Sequence, residues 1–548
     1  IMTANGAGYT SVPAVTFSAG AATATAVLET STAGNPTVPI FFDQRLVLAA
    51  PEIAPQRFHM SQPGAFYNFN ISLPLQADDA ITGTLIAAKL NTIQSFIVMS
   101  AGLITLADQQ AWLINGGSAG APATAIDLAA NSQAYNGANG VPPIIANLDI
   151  LYVQAKGSII RDLTFNFYTN IYTGTDISVL SSHLFFGFNI LEWAYAEEPF
   201  KVIWAVRDDG ILLSLTFLKE QELIGWAHSD TDGDFKSVCS ITEQVQTFNG
   251  PTISVDALYV VVERTINGQT VQYVERMAER LFQYGVEDAW CVDAGLQSLP
   301  LQGPGSIPAT AGVTLTASTT TVGAGATFTF SSSVGLANPG SIGIVIRMNG
   351  GIATITAVAS GAVCTATITQ SPTAVKATAP NWSLWLSTVT FSGGEHLAGE
   401  TCTGLADGAI ITSFVMPANG TFTLATAASK VTVGLAFTPQ LQTLGLDLGQ
   451  PTVQGKKKKI TGVTARCQNT LGLSIGTALT TVVPMKDLVV GNVGSQTNQV
   501  VTNRMVTGDA WTQIDQKWDA AGNYFVTQPS PFPATILGVI PEVVVGDS

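Results

Sequence analysis

Five stretches of this chain repeat one design: an apolar strand, a tight turn, then a second strand that alternates apolar and polar residues. Four turn on glycine: Ile93–Asn115 at Gly102, Asp149–Phe167 at Gly157, Phe200–Trp226 at Asp208-Asp209-Gly210, and Asp256–Arg276 at Asn267-Gly268. In the fifth, Phe41–Phe69, the strands RLVLAA and QRFHMSQ flank a loop with Pro51 and Pro55, and PGAFYNF is expected to add a turn and an aromatic plug. Alternation with period 2 reads as strand. Asn-Gly is the strongest short hairpin signal, because a type I′ turn needs φ > 0 at both central positions. Antiparallel units recurring every roughly 40–50 residues read as propeller blades. A pair of β-sandwiches is the competing reading of the same pattern.

Composition agrees with strands and argues against several classes. Charged residues are 11% of the 548, under half the usual share of roughly 25%. Disordered chains pair low hydrophobicity with high net charge, whereas 46% of this chain is hydrophobic. Its many Ala, Thr, Val, Ser and Gly residues suit strands joined by tight turns. A surface so poor in charge suits a large permanent assembly better than a free monomer. The net charge of −15 disfavours a general grip on phosphate backbones, although an acidic wall would let a duplex slide past. The longest apolar runs fall short of the about 18 residues a membrane helix needs. No basic stretch followed by an apolar run marks a signal peptide.

The expected fold is mostly β, with a β-propeller-like core and small inserted and appended β-domains. Residues 1–36 read as the end of a small β-module, carried by alternation in Gly6–Leu28. That single copy suggests a fragment or a processed product. Residues 37–301 hold the first part of the blades. The nearly uncharged stretch 302–380 reads as an inserted β-domain. Residues 381–548 resume hairpin texture from Asn381 and supply the remaining blade and C-terminal elements. Helices are expected to be few and short, at Ala77–Ala88 and Val274–Tyr284.

Candidate chemistry is sparse. The histidines are His59, His183, His228 and His396. There is no HExxH helix or phosphate-binding loop, and no GxSxG run makes a convincing nucleophile elbow. Asp230, Asp232 and Asp234 imitate the start of a calcium loop. Gly233 falls at position four and Ile241 at position twelve, where an EF-hand needs Gly at six and Glu at twelve. An Asp-Gly turn is the expected role, with a weak cation site as the alternative. Glu197-Glu198 and Asp208-Asp209 would serve a glycosidase only from opposite sides of a cleft, about 5–10 Å apart. Adjacent strand residues point to opposite faces, so these pairs read as turns and caps. Cys239, Cys291, Cys364, Cys402 and Cys467 are odd in number and lack metal or redox spacing, so they read as buried thiols. The acceptor-like Asn70, Asn381 and Asn419 sequons are read as accidental. The sharpest charge feature is Lys456, Lys457, Lys458 and Lys459. Either it guards a loop or edge strand, or it faces DNA or a partner.

Several long composite motifs resemble one family. They are Asp209–Val238 (DGILLSLTFLKEQELIGWAHSDTDGDFKSV), Leu258–Met277 (LYVVVERTINGQTVQYVERM) and Pro451–Gly476 (PTVQGKKKKITGVTARCQNTLGLSIG). FDQRLVLAAP with SQPGAFYNF resembles its first blade, and Phe532–Asp547 its C-terminus. The likeness runs from Phe41 to Ser548 and is weaker in the inserted stretch. The family is the nozzle, or tail tubular protein B, of short-tailed bacteriophages. It implies a homo-hexamer with a central channel beneath an adaptor ring, fibres or spikes on the outside, and phage DNA leaving through the channel. It implies a structural protein of the virion tail, neither an enzyme nor a cofactor binder. A peripheral adhesin-like tail protein is the alternative, and a glycan-degrading tail enzyme a more distant one. Family members usually carry a longer N-terminal part against the ring above, so no residue here is assigned to adaptor contacts.

Overall fold

The computed structural model describes residues 34–546 except 119, 170, 247–251, 281, 283–284, 299–310, 337–340, 380, 448, 450–451, 489–504 and 515–516. The expected strands of Gly6–Leu28 lie outside the described residues. The described chain is mostly β, its sheets are antiparallel, and its helices are short 3-10 turns. It divides into two compact units. One runs to Tyr195 and includes Lys201–Ser229; the other holds Ala196–Phe200 and the chain from Asp230 onward.

The first unit contains four successive meanders of four strands, each strand paired with its neighbour in sequence. The first is Val38–Phe42, Arg45–Ala49, Arg57–Met60 and Ile81–Thr84. The second is Ile93–Met99, Gly102–Ala107, Ala111–Asn115 and Ala129–Ser132. The third is Ile144–Ala146, Asp149–Val153, Ile160–Asn166 and Ile171–Asp176. The fourth is Ile190–Ala196, Val202–Arg207, Leu212–Leu218 and Leu223–Ser229.

Alternation explains how the meanders share cores. Leu103, Trp112 and Ile114 of the second pack with Val47, Phe58 and Met60 of the first. Ile104, Leu106 and Leu113, on the opposite face, pack with Ile150, Tyr152 and Leu163 of the third. Leu151, Val153 and Ile160 then meet Ile203, Leu213 and Phe217 of the fourth. The second and third meanders are therefore covered on both faces, and Gly102–Ala107 and Asp149–Val153 are buried throughout. A strand covered on both faces reads as a continuous apolar run. A sheet of a two-layer sandwich keeps one wet face.

The second unit begins with a long three-stranded sheet, Asp234–Gln246, Thr252–Ile266 and Gln269–Arg276. Its tip is the expected turn, with Asn267 at φ 48° and Gly268 at φ 73°. Strand Asp293–Ser298 pairs with Val431–Leu435, far along the chain, in a four-stranded sheet with Thr401–Ala406 and Ala409–Val415. Between them lies a seven-stranded antiparallel sheet running from Thr314–Ala317 to Trp382–Trp385. Its core holds Leu315, Phe328, Ile346, Ile355, Ile368 and Trp382. The C-terminal part adds a three-stranded sheet of Val506–Gln513, Lys458–Thr470 and Thr535–Val545. It also adds a small four-stranded sheet that includes Ser474–Gly476 and Phe525–Thr527.

Three expectations need correction. Trp382–Trp385 pairs with Val345–Met348, so the inserted sheet runs past residue 380 and the Trp motif completes it. Neither expected helix forms among the described residues: Ile81–Thr84 is a strand that closes the first meander, and Val274–Arg276 ends another. Ladder pairing outcompetes a helix too short to sustain itself. The aromatics of PGAFYNF are no plug, since Tyr67 is 98% exposed. Polar contacts shape that loop instead, with Asn68 Nδ2 donating to Gln62 Oε1 at 2.6 Å and Ser72 Oγ to Asp79 Oδ1 at 2.8 Å.

Candidate functional site

The acidic turn Asp230–Asp234 is organised by an arginine. Arg264 is buried in strand Thr252–Ile266, where its fork needs acceptors. Nε and Nη2 donate to the Glu275 carboxylate at 2.7 and 2.9 Å. Nη1 donates to Thr231 Oγ1 at 2.9 Å and to the Asp232 carbonyl at 2.6 Å. Thr231 Oγ1 donates in turn to Asp293 Oδ2 at 2.8 Å. Burial holds the Asp293 carboxyl above its ordinary range. Asp234 faces outward and pairs with Lys236 at 3.1 Å. Gly233 sits at φ +142°, and a Cβ there would lie 2.5 Å from the Glu263 carbonyl oxygen. The three aspartates therefore form a stapled turn. Among the described residues no group of three His, Cys, Asp or Glu side chains is placed to hold a metal ion.

The lysine run divides. Lys457 is exposed, Lys456 and Lys459 are half-buried, and Lys458 is 2% exposed. Successive residues of a strand face opposite ways, and the strand Lys458–Thr470 begins here. The Lys458 Nζ donates to the Ala520 carbonyl at 2.6 Å. Its backbone exchanges hydrogen bonds with Asp519 at 2.6 and 2.9 Å. The expectation of one four-lysine surface patch is corrected accordingly, because Lys458 braces the 519–522 turn from inside.

The other reactive residues are dispersed. His59 Nδ1 lies 3.0 Å from Thr82 Oγ1, and burial with nearby Arg57 lowers its pKa. His396 Nε2 donates to the Ala294 carbonyl at 2.9 Å, while His183 and His228 lie on other elements. Asp256 Oδ2 accepts the amides of Glu197 and Glu198 at 2.8 and 3.0 Å. Asp209 grips Arg207, and that bond holds its carboxyl below the usual range. Asp208 accepts from Asn189 Nδ2 at 2.8 Å. The cysteines are free; Cys239 is exposed, which corrects its expected burial. Burial pushes the thiols of Cys291, Cys364 and Cys402 up to about 11, far from thiolate reactivity. The GLSIG run from Gly472 to Gly476 places Ser474 within a buried strand rather than on a strand-to-helix turn. A cavity of about 320 Å³ is lined by Cys291, Thr403, Ile411, Phe437 and Ser530 among others, without a carboxylate or a histidine.

Two features escaped the sequence reading. The first surrounds Arg347, the only charged residue between 305 and 375. Its Nη1 donates to Glu287 Oε1 at 2.8 Å, and both side chains are 1% exposed. Its Nη2 donates to Asp407 Oδ1 at 2.6 Å and to Ser429 Oγ at 2.9 Å. Its guanidinium lies 4.6 Å from the Trp385 ring centroid. Asp407 also accepts the Ser429 and Lys430 amides at 2.8 and 2.9 Å, and Lys430 Nζ pairs with Asp288. A lone charge in an uncharged β segment is the signal that points to such an anchor, because an unpaired buried charge is intolerable.

The second is apolar exposure at the loops of the first unit. Leu73 and Tyr168 are 101% and 97% exposed, and Phe167, Leu180 and Phe186 are also open. Contiguous exposed apolar patches mark interaction surfaces, and here Phe167 and Tyr168 stand side by side with ring centroids 6.3 Å apart.

No family model matches the chain, and no curated protein is similar to it. Among solved structures, a luciferin-regenerating enzyme is similar over 45% of this chain and 93% of its own, at 11% identity and a TM-score of 0.19. That likeness carries no argument about fold or activity.

Proposed function

We propose that this chain is a structural subunit of a bacteriophage tail. Copies of it form the nozzle through which DNA leaves, and the outer surface docks fibres or spikes beneath an adaptor ring. The carrying observation is the stack of four meanders with shared cores and exposed apolar loops. Meanders whose inner members are covered on both faces fit the blades of a propeller-like body. Open apolar loops on a chain so poor in charge fit a surface completed by neighbouring subunits. The motifs resembling tail nozzles support the same reading. Asp209, Asp234 and Glu275 are used in ion pairs and Asp256 in backbone contacts, and the role proposed is mechanical. Lys456 and Lys457 remain the outward part of the basic run and are the residues proposed to meet DNA or a neighbouring subunit.

Replacing Lys456 and Lys457 with Gln tests that last point. Reduced assembly or slower genome ejection is expected; unchanged values for both would reject the contact. Native mass spectrometry of the purified chain tests the whole reading. A ring-sized oligomer, expected to be a hexamer, supports it, and a chain that stays monomeric at working concentration overturns it. Cleavage of host glycans by the isolated chain would favour an enzyme instead.

A further inference from the structure

Asparagine is followed by glycine eight times in this chain, and six of those pairs lie among the described residues. The fold ties down five of the six. Asn115 is 3% exposed; its Nδ2 donates to the Ala101 carbonyl at 3.2 Å, and the Gly116 amide donates to the Ala121 carbonyl at 3.0 Å. Asn139 Oδ1 accepts the Val141 amide at 3.0 Å. Asn349 Nδ2 donates to the carbonyls of Ala374 and Lys376 at 3.1 and 2.9 Å. Asn419 Oδ1 accepts the Thr421 amide at 3.1 Å, and the Gly420 amide donates to the Pro417 carbonyl at 2.9 Å. Gly137, which follows Asn136, is buried against the Asp108 carbonyl, where an added Cβ would lie 1.8 Å from the oxygen. Asn267 differs. It and Gly268 are exposed at the hairpin tip between Thr252–Ile266 and Gln269–Arg276. Among the described residues neither the Asn267 side chain nor the Gly268 amide has a hydrogen-bond partner. A Cβ on Gly268 would meet nothing within 4 Å, so the peptide joining the two has room to turn.

We propose that Asn267-Gly268 is a self-modification site, at which Asn267 loses its side-chain amide and becomes aspartate or isoaspartate. The Gly268 nitrogen gives its proton to a solvent base and attacks Cγ of Asn267. The new N–C bond closes a cyclic imide, the Cγ–Nδ2 bond breaks, and the departing nitrogen takes up a proton and leaves as ammonia. Water then opens the imide at one of its two carbonyls. One asparagine and one water become one acid and one ammonia, and nothing is oxidised or reduced.

Nucleophile and electrophile belong to adjacent residues, so the reaction is intramolecular, and glycine places no side chain beside the attacking nitrogen. Attack requires the peptide to swing out of the native turn. Local opening is easiest where the backbone is exposed and few contacts are lost. Opening at the hairpin tip breaks no side-chain hydrogen bond, whereas at Asn115, Asn139, Asn349 and Asn419 it does. The two products act differently on the hairpin. Aspartate tolerates the left-handed conformation that residue Asn267 holds at φ 48°, and adds only a charge. Isoaspartate inserts a methylene into the backbone and disrupts the pairing of Ile266 with Gln269 that closes the turn.

Peptide mapping by mass spectrometry, after the full folded chain is incubated at mildly alkaline pH, tests the proposal. Asn267 should convert about tenfold or more faster than Asn115, Asn139, Asn349 and Asn419, whose hydrogen bonds must first break. Isoaspartate should appear in the same peptide as aspartate. In denaturant the rates of the six pairs should converge, because each is then the same dipeptide in an open chain. Asn267 left intact in the folded chain while the denatured chain converts it would overturn the proposal. So would another of the six converting as fast in the folded chain, or a ranking that persists unchanged in denaturant.

Discussion

The stacked meanders and the seven-stranded sheet are built from similar strands but are finished in different ways. Gly102–Ala107 and Asp149–Val153 are buried along their whole lengths, because neighbouring meanders cover both faces. Gly323–Phe330 and Val363–Gln370 alternate, keeping one face of Phe328, Phe330, Cys364, Ala366 and Ile368 in a core. Their other face is mostly threonine, from Thr327 and Thr329 to Thr365, Thr367 and Thr369, and tolerates water. The meanders instead end in loops that expose Tyr67, Leu73, Tyr168 and Phe186. One sheet is complete by itself and is anchored by a single arginine. The stacked region is complete in its interior and unfinished at its loops.

Breaking the anchor should have the largest effect. Arg347→Ala strands the buried Glu287 carboxylate and takes one partner from Asp407, and losing one partner of a buried ionic network costs about 3–5 kcal/mol. Chemical denaturation should show that loss, with the seven-stranded sheet more open to proteolysis. Arg264→Ala removes the staple of the Asp230–Asp234 turn. Glu275 is partly exposed, so about 2 kcal/mol is expected from the same measurement. Lys458 and Lys457 sharpen the contrast between neighbours. Lys458→Gln should cost about 1–3 kcal/mol by stranding buried polar groups, while Lys457→Gln should stay within about 0.5 kcal/mol.

Asp209 offers a smaller, pH-dependent test. Its hydrogen bond with Arg207 depresses its folded pKa. The unfolded state then binds its proton first as pH falls. The stabilisation is present above the ordinary carboxylate pKa and is lost as pH drops through the depressed value. An Asp209→Asn variant should therefore show a flatter acid limb in a stability–pH series, with little change in that limb if the bond contributes nothing. Smallest in stability are the rim residues. Tyr67→Ser with Leu73→Ser should shift the stability of the isolated chain by about 0.5 kcal/mol or less, yet weaken self-association.

Much of the strand layout was legible because turns are local. Gly102, Gly157, Gly210 and Asn267-Gly268 each mark a connection found in the structure. What the strands pack against was not legible. Leu103 and Ile104 look equivalent in sequence, yet they enter different cores. The expected helix at Ala77–Ala88 failed because a partner strand far outside any local window captures Ile81–Thr84. The Asp-Gly composition of the acidic turn is local and legible, but Arg264, which holds it, is 33 residues from Thr231. Lys458 was read as surface because it sits in a run of like residues; only the register of the strand turns it inward. Arg347 was visible as a lone charge, while its partners lie 60 and 82 residues away.

Electron cryo-microscopy of the assembled particle tests the central claim most directly. The account predicts copies of this chain arranged around an axial channel, six to a ring, with the loops carrying Tyr67, Leu73, Tyr168 and Phe186 buried between neighbours. Copies found only at the particle's periphery, or a ring that leaves those loops in solvent, would contradict it.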